Sequence, residues 1–159
     1  MKTTIRRSVR AQLDNKAAGE TLPERLSISI GGHFGPSYSV ELENGSLTYS
    51  HSKPVQQFPP KWDSESETIR PTEHQWQAFR RELDRLNVWR WQSEYFEPVC
   101  DGTGWSVEIV YSDTAIRSHG SNCFPGQNGR ALSIVDRTKD DTFKQFCRSV
   151  SALAKRQFR

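Results

Sequence analysis

The sequence predicts an α+β fold, a two-layer sandwich in which an antiparallel sheet of about five strands carries two helices on one face. Five short segments alternate apolar and polar residues, which is the period of strands with one buried face. Two longer segments repeat apolar residues at helical spacing, so each has a single apolar stripe. When the strands and helices pack in two layers, the apolar face of the sheet and the apolar stripes of the helices are buried against each other. The order of elements along the chain is β-β-β-α-β-β-α.

The first three strands are predicted before residue 52. Leu26, Ile28 and Ile30 alternate with serines in the first strand. Asn44-Gly45 separates the second from the third, and this dipeptide is a strong hairpin signal because both residues tolerate the positive φ of a tight turn. A two-residue turn there fixes a register of mostly apolar pairs. The predicted pairs are Leu42 with Leu47, Val40 with Tyr49, and Tyr38 with His51.

The first helix follows a long polar connection over residues 52–71. This connection contains four prolines, and its length is unusual for a compact domain unless it includes a short strand. Thr72 and Gln75 have the spacing of a capping box, which predicts the start of a helix. The helix runs for about 15 residues. Its apolar stripe consists of Trp76, Phe79, Leu83 and Leu86.

Two further strands form a second hairpin. Alternating residues predict one strand over residues 105–111 and a returning strand over residues 115–120. A turn at residues 113–114 would place Glu108 opposite His119. The two strands then contribute a second apolar surface to the same side of the sheet.

The last helix follows residues 124–139, which are predicted to form a second long loop. Asp140 or Asp141 is expected to cap the helix, because a carboxylate accepts a hydrogen bond from a free amide of the first turn. Cys147 lies on the apolar stripe, where a free cysteine behaves as a small hydrophobe. The stripe is Phe143, Phe146, Cys147, Val150 and Leu153, and both helices are expected to bury against Val40, Leu42, Leu47, Val107 and Ile109.

Composition divides the chain into a basic N-terminal arm, residues 1–24, and one domain, residues 25–159. The arm has no patterned apolar face, so we expect it to be flexible, with at most a short helix over residues 8–16. No apolar segment approaches the length that spans a bilayer, and none follows the basic N-terminus as in a signal peptide. The odd number of cysteines favours reduced thiols, which predicts a cytoplasmic protein.

One group of side chains supplies the catalytic candidates. In the predicted register, Cys123 lies opposite Gly104 at the open end of the second hairpin, with Asp101 and His119 nearby. These three side chains are therefore candidates for a hydrolase-type enzyme. Cys100 adds a second thiol, but the chain has no Cys-x-x-Cys or His-x-x-x-His pair, so no metal and no cofactor are predicted.

The face of the sheet away from the helices is rich in hydroxyl groups. A ligand on this face would be recognised by hydrogen bonds, and the alternative is a solvated surface whose short side chains limit aggregation. An aromatic platform for RNA is disfavoured, since such platforms place Phe or Tyr at the centre of the exposed face. The candidate ligand-binding residues are Ser39, Glu41, Thr48, Glu108 and Arg117.

Two basic segments could contact phosphates. The net charge of +3 does not require a nucleic-acid partner, and no glycine pattern of a nucleotide-binding loop is present. Residues 1–13 contain no acidic residue, which makes the arm the better candidate. The basic residues are Lys2, Arg6, Arg7 and Arg10 in the arm, and Lys144, Arg148, Lys155, Arg156 and Arg159 in and after the last helix.

A set of turn and aromatic residues has a characteristic order along the chain. It comprises Gly35-Pro36-Ser37-Tyr38-Ser39-Val40, Asn44-Gly45, Trp91, Tyr95, Asp101-Gly102, Trp105 and Arg117-Ser118-His119-Gly120-Ser121-Asn122. This order resembles an uncharacterised bacterial family of small domains of unknown function, over roughly residues 26–155. The resemblance implies a shared fold and no particular activity. The family form has Ala-Tyr-Pro after Gly-Ser-Asn, whereas Cys123-Phe124-Pro125 stands here, which argues against a special role for Cys123.

The predicted fold, without an assembled catalytic set, favours a non-catalytic binding or protein-interaction module, for which the hydroxyl-rich face supplies candidate residues. A hydrolase that uses the strand-end group is the alternative from a different class. Weak nucleic-acid binding through the basic arm is a third alternative. No membrane partner is predicted.

Overall fold

A seven-stranded sheet runs through the computed structural model of the chain, which describes residues 21–32 and 35–159. The predicted helix over residues 8–16 and the basic side chains of the arm lie outside the described residues. The strands are β1 (Arg25–Gly32), β2 (Ser37–Glu43), β3 (Ser46–Val55), β4 (Lys61–Ile69), β5 (Glu94–Phe96), β6 (Thr103–Val110), β7 (Ala115–Ser121), β8 (Cys123–Pro125) and β9 (Ala131–Ser133), and the helices are α1 (Glu73–Arg85) and α2 (Thr142–Ala154).

The strand order in the large sheet is β4-β3-β2-β1-β6-β7-β5. All neighbours are antiparallel except β5 and β7, which are parallel, so the sheet is mixed. β8 and β9 form a separate two-stranded sheet. The predicted α+β class with two helices is confirmed, and the prediction of about five strands in a wholly antiparallel sheet is wrong in detail.

The additional strands lie where the sequence predicted loops. β4 occupies nine residues of the connection over 52–71, and every residue of this strand except Ile69 is exposed. Because both of its faces are polar, β4 has no alternation of apolar and polar residues from which it could be detected. β8 and β9 lie within or beside the predicted loop 124–139, and each has only three residues.

The two predicted hairpins differ in accuracy. The register around Asn44-Gly45 is confirmed, with Leu42 opposite Leu47 and Tyr38 opposite His51. In the second hairpin the register is wrong by two residues, because the turn is centred on residues 112–113, one residue earlier than predicted, and closes with the Tyr111 N–H donating to the Thr114 carbonyl. A shift of two residues keeps every side chain on its predicted face but changes its neighbours. Glu108 lies opposite Arg117, Ser106 opposite His119, and Gly104 opposite Ser121.

Both helices pack on one face of the sheet, as predicted. The capping box at Thr72 and Gln75 is present, with the Gln75 N–H donating to the Thr72 hydroxyl and the Thr72 N–H donating to Gln75 Oε1. Side chains of both helical stripes and of the inward-facing strand positions form one buried cluster. This packing commits one face of the sheet to the core and leaves the other face, over most of its width, to solvent. Members of the cluster include Trp76, Phe79, Leu83, Phe146, Val150, Val40, Leu47, Val107 and Ile109.

Candidate functional site

The outward-facing residues of the sheet form regular rows across the strands. Ser-x-Ser pairs on β2, β3 and β4, together with Ser29 of β1, form two neighbouring rows of serines across the sheet. We call this surface the serine face. Its first row is Ser66, Ser50, Ser39, Ser29, Ser106, His119 and Glu94, and its second row is Ser64, Ser52, Ser37, Gly31, Gly104, Ser121 and Phe96.

Hydroxyl groups within these rows hydrogen-bond to one another between strands. The Oγ atoms of Ser29 and Ser106 are 2.8 Å apart, and those of Ser50 and Ser66 are 2.6 Å apart. A hydroxyl has one proton and two lone pairs, so a hydroxyl in such a pair retains capacity for a further partner. The serine face is therefore able both to donate and to accept hydrogen bonds.

An open cavity of about 790 Å³ lies over the two rows. Two facing glycines, Gly31 and Gly104, leave the second row without side chains at its centre. A Cβ on Gly31 would lie 2.3 Å from the Ser37 hydroxyl oxygen, so the absence of a side chain there allows Ser37 to lean over the backbone. Eight serines line the cavity, namely Ser29, Ser37, Ser39, Ser50, Ser52, Ser64, Ser66 and Ser121.

One wall of the cavity is the loop before β6, and Asn122 holds this loop in place. The Asn122 side chain accepts a hydrogen bond from the Thr103 N–H at 2.9 Å and donates one to the Val99 carbonyl at 3.1 Å. Gly102 packs so closely against Asn122 that a Cβ would overlap the amide. Asn122 is 2% exposed and therefore acts as an internal clamp for the wall that carries Asp101.

The charges of the described residues that line the cavity disfavour anionic ligands. Among the described residues that line the cavity, none is an Arg or a Lys. Asp101 supplies a carboxylate in the wall, whereas Glu65 alternates with Ser64 and Ser66 and so points to the other side of β4. No Arg or Lys among these described residues offers an anionic ligand a charge-assisted hydrogen bond. Its chemistry suits a neutral polar ligand.

The three predicted catalytic residues are distributed over different environments. Cys123 is 6% exposed, within the core cluster, and burial raises the pKa of its thiol. His119 lies on the serine face, largely exposed, with its Nε2 atom 3.9 Å from Glu94 Oε1. Asp101 is in the cavity wall with a φ of 59°. The expectation that Cys123 lies opposite Gly104 is wrong, because Ser121 occupies that position and the chain turns at Asn122 into the second sheet.

The predicted ligand-binding residues separate into one that lines the cavity and four that do not. Ser39 lies in the first serine row and lines the cavity. The other four occupy the next row along the strands, outside the cavity. There the Glu108 carboxylate accepts a hydrogen bond from Arg117 at 2.6 Å, which lowers its pKa, and Thr48 donates to Glu43. The four are Glu41, Thr48, Glu108 and Arg117.

Several residues of the cavity were not predicted, although the sequence contains a signal for most of them. The four Ser-x-Ser pairs, at residues 27–29, 37–39, 50–52 and 64–66, mark strands that present hydroxyls on one face. The last pair also marks β4, which has no apolar alternation. Asn122 carries no comparable local signal, because its two partners precede it by about twenty residues.

A second cavity of about 610 Å³ lies on the helix side of the sheet beside β3 and β4. The rings of Tyr38 and His51 stack there with centroids 4.9 Å apart. Arg156 donates to the carboxylate of Glu67 at 2.7 and 2.8 Å. Arg156, one of the basic residues predicted as a possible phosphate contact, is therefore paired with a carboxylate of the protein itself.

The three thiols should differ in reactivity. Cys100 is exposed, whereas burial raises the pKa of Cys123 and brings that of Cys147 to about 12. Since the thiolate is the reactive form, we expect Ellman's reagent to titrate one thiol in the native protein and three after unfolding. Cys100→Ser should leave no fast-reacting thiol. Rapid modification of Cys123, located by peptide mass spectrometry, would contradict this assignment.

Comparison of the chain with protein-family models and with curated proteins found no match. The resemblance described under Sequence analysis therefore stays a prediction. Its motifs nevertheless converge in space, because the segments at residues 35–40, 101–102 and 117–122 all contribute to the lining of the cavity. Neither described helix has the length and apolar character needed to cross a membrane.

Proposed function

We propose that the chain is a non-catalytic binding module that holds a ligand in the cavity of the serine face. The observation that carries this proposal is the lining itself, in which eight serine hydroxyls face an open cavity of about 790 Å³. Ligand sites are concave and combine a preformed shape with a small set of polar groups. Here the shape is supported by the paired strands of the floor and by the Asn122 clamp in the wall.

The arrangement favours binding over the hydrolase alternative. A thiol nucleophile requires access and a lowered pKa, and Cys123 has a raised pKa and lies in the core. His119 and Glu94 are both largely exposed on the sheet, outside any pocket of the described residues that would exclude water from a reaction. By contrast, binding through hydroxyl groups requires only that they remain accessible and that the backbone beneath them stays ordered.

The proposal is tested by NMR titration of the isotopically labelled chain with probes of different chemistry. The panel contains neutral hexasaccharides, spermidine, a basic and an acidic decapeptide, and ATP. We expect at least one probe to shift the amide signals of residues that line the cavity. Ser39→Trp should abolish these shifts, because the indole would fill the floor of the cavity.

Glu41→Trp is the matched control for this experiment. It adds the same indole two residues further along β2 on the same face, at a position that does not line the cavity. We expect the control to bind as the unsubstituted chain does. Absence of cavity shifts with every probe, or equal loss in both variants, would refute binding at this site.

A further inference from the structure

Resting on the proposed binding function, we infer that the ligand is a neutral oligosaccharide that lies across the strands along the two serine rows. This inference specifies the ligand class of the cavity. It depends on three properties of the site: the hydrogen-bonding capacity of its floor, the charge of its lining, and the aromatic side chains at its two ends.

The floor matches a chain of sugar hydroxyls. The serines and the sugar both carry hydroxyl groups, and each hydroxyl can donate or accept a hydrogen bond. A sugar can therefore hydrogen-bond to the serines in many arrangements, because no fixed pattern of donors and acceptors is required. The lining serines extend across β4, β3, β2, β1 and on to β7. With β6 between β1 and β7, the trough crosses six strands, and five intervals of about 4.8 Å give it a length of roughly 24 Å, long enough for several sugar units.

The charge of the lining separates this ligand from anionic polymers. No Arg or Lys is among the described lining residues, whereas the Asp101 carboxylate is in the wall. Among the described lining residues, a phosphate or sulfate would lose hydration and meet hydroxyl dipoles and the like charge of Asp101 without an Arg or Lys to compensate. A carboxylate, in contrast, accepts hydrogen bonds from neutral hydroxyls. Neutral sugars are therefore favoured over nucleic acids and sulfated glycans.

Exposed aromatic rings lie near both edges of the serine face, beside the residues that line the cavity: Phe96 at the end of the second row, and Trp62 opposite Pro54, next to that row. Trp62 follows the alternation of Ser64 and Ser66 on β4 and so lies on the serine face at the edge of the sheet, 46% exposed. Phe96 lies opposite Ser121 at the other edge, 65% exposed. An aromatic face packs well against the apolar C–H face of a pyranose ring. An exposed ring at either position could therefore bind a sugar unit at the end of the ligand.

The test is calorimetric titration of the chain with cellohexaose, maltohexaose and chitohexaose, with a heparin-derived hexasaccharide as the anionic comparison. We expect at least one neutral hexasaccharide to bind, with a Kd that changes by less than about twofold between low and high salt because the ligand is uncharged. The corresponding disaccharide should bind about tenfold more weakly, since it reaches fewer of the strands.

Variants connect the binding to the structure. Trp62→Ala should weaken the neutral hexasaccharide roughly 3- to 10-fold, and Trp62→Phe should restore most of the affinity. Phe58→Ala is the matched control, because Phe58 is 96% exposed in the turn between β3 and β4, whereas Trp62 is on β4 itself, beside the second serine row. These exposed positions can be changed without disturbing the core, so the test does not depend on the folding of Ser39→Trp.

The outcomes distinguish this inference from the proposed function. If none of the three neutral hexasaccharides binds, or if the heparin fragment binds more tightly than all of them, the inference is wrong. The binding function still stands if spermidine, a peptide or ATP shifts the cavity residues in the NMR experiment. If no probe of either experiment binds, both proposals fail together.

Discussion

Replacement of Phe146 by alanine is expected to lower the free energy of unfolding by about 3–5 kcal/mol. Phe146 is fully buried on α2, and its ring contacts Trp91 in an edge-on arrangement with centroids 5.1 Å apart. Removal of the ring leaves a cavity beneath the helix and removes aromatic contacts that the remaining residues cannot replace. Urea denaturation followed by circular dichroism measures the change.

Arg148→Ala is the control for this prediction, because Arg148 is an exposed residue of the same helix. It should change the free energy of unfolding by less than about 0.5 kcal/mol. A loss below about 1 kcal/mol for Phe146→Ala would mean that α2 is not docked on the sheet as described. Both variants keep the same denaturant dependence if the native and unfolded states retain their exposed areas.

Replacement of Asn122 by alanine is expected to lower the free energy of unfolding by about 2–4 kcal/mol. The substitution leaves the Thr103 N–H and the Val99 carbonyl without their side-chain partners. It also places alanine at a φ of 55°, where a Cβ is disfavoured. We further expect faster hydrogen exchange at residues 99–103, because the wall loses its clamp while the floor is untouched.

Asn44→Ala separates the two contributions to this loss. Asn44 has a similar φ of 50° in the exposed hairpin turn, and its side chain makes no hydrogen bond to a described residue. This variant therefore reports the backbone strain alone, about 1 kcal/mol. Equal losses in the two variants would show that the Asn122 hydrogen bonds contribute nothing. An unchanged exchange rate at residues 99–103 would show that Asn122 does not hold the wall.

Local signals in the sequence were sufficient for the parts of the fold that local chemistry determines. The hairpin at Asn44-Gly45, the capping box at Thr72 and the two helical stripes each depend on residues within one or two turns of one another. Their geometry is nearly independent of the remainder of the chain. This explains why the register of the first hairpin and the burial of the helices could be predicted.

The missing strands depend on contacts that no short pattern expresses. β4 is polar on both faces, so that hydrophobic periodicity gives no indication of it. β5 has three residues and pairs in parallel with β7, which lies some twenty residues further along the chain. In the second hairpin, the hydrogen bond from the Tyr111 N–H to the Thr114 carbonyl places the turn at residues 112–113 in place of the predicted 113–114.

The sequence predicted the chemical character of the candidate site but not the position of the cavity on the sheet. The hydroxyl-rich outer face and Ser39 were identified from alternation alone. The cavity itself depends on a loop held by Asn122 and on the glycine pair Gly31 and Gly104, whose proximity follows from the order β1-β6 in the sheet. Non-consecutive strand neighbours of this kind arise from tertiary packing, and a single sequence does not reveal them.

Because β4 is exposed on both faces, the part of the serine face on β4 should have a lower local stability than the part on the strands beneath the helices. β4 joins the core only at Ile69 and is tied to the C-terminal segment through the Glu67–Arg156 ion pair, whereas β1, β2 and β6 bury their inner residues under the helices. Local opening requires least free energy where buried apolar contacts are few. We therefore expect the β4 side of the trough to open at a lower cost in free energy than the strands that the helices cover. A ligand that spans all six strands would bind only the form in which β4 is paired, and it would therefore stabilise the outermost strand by mass action.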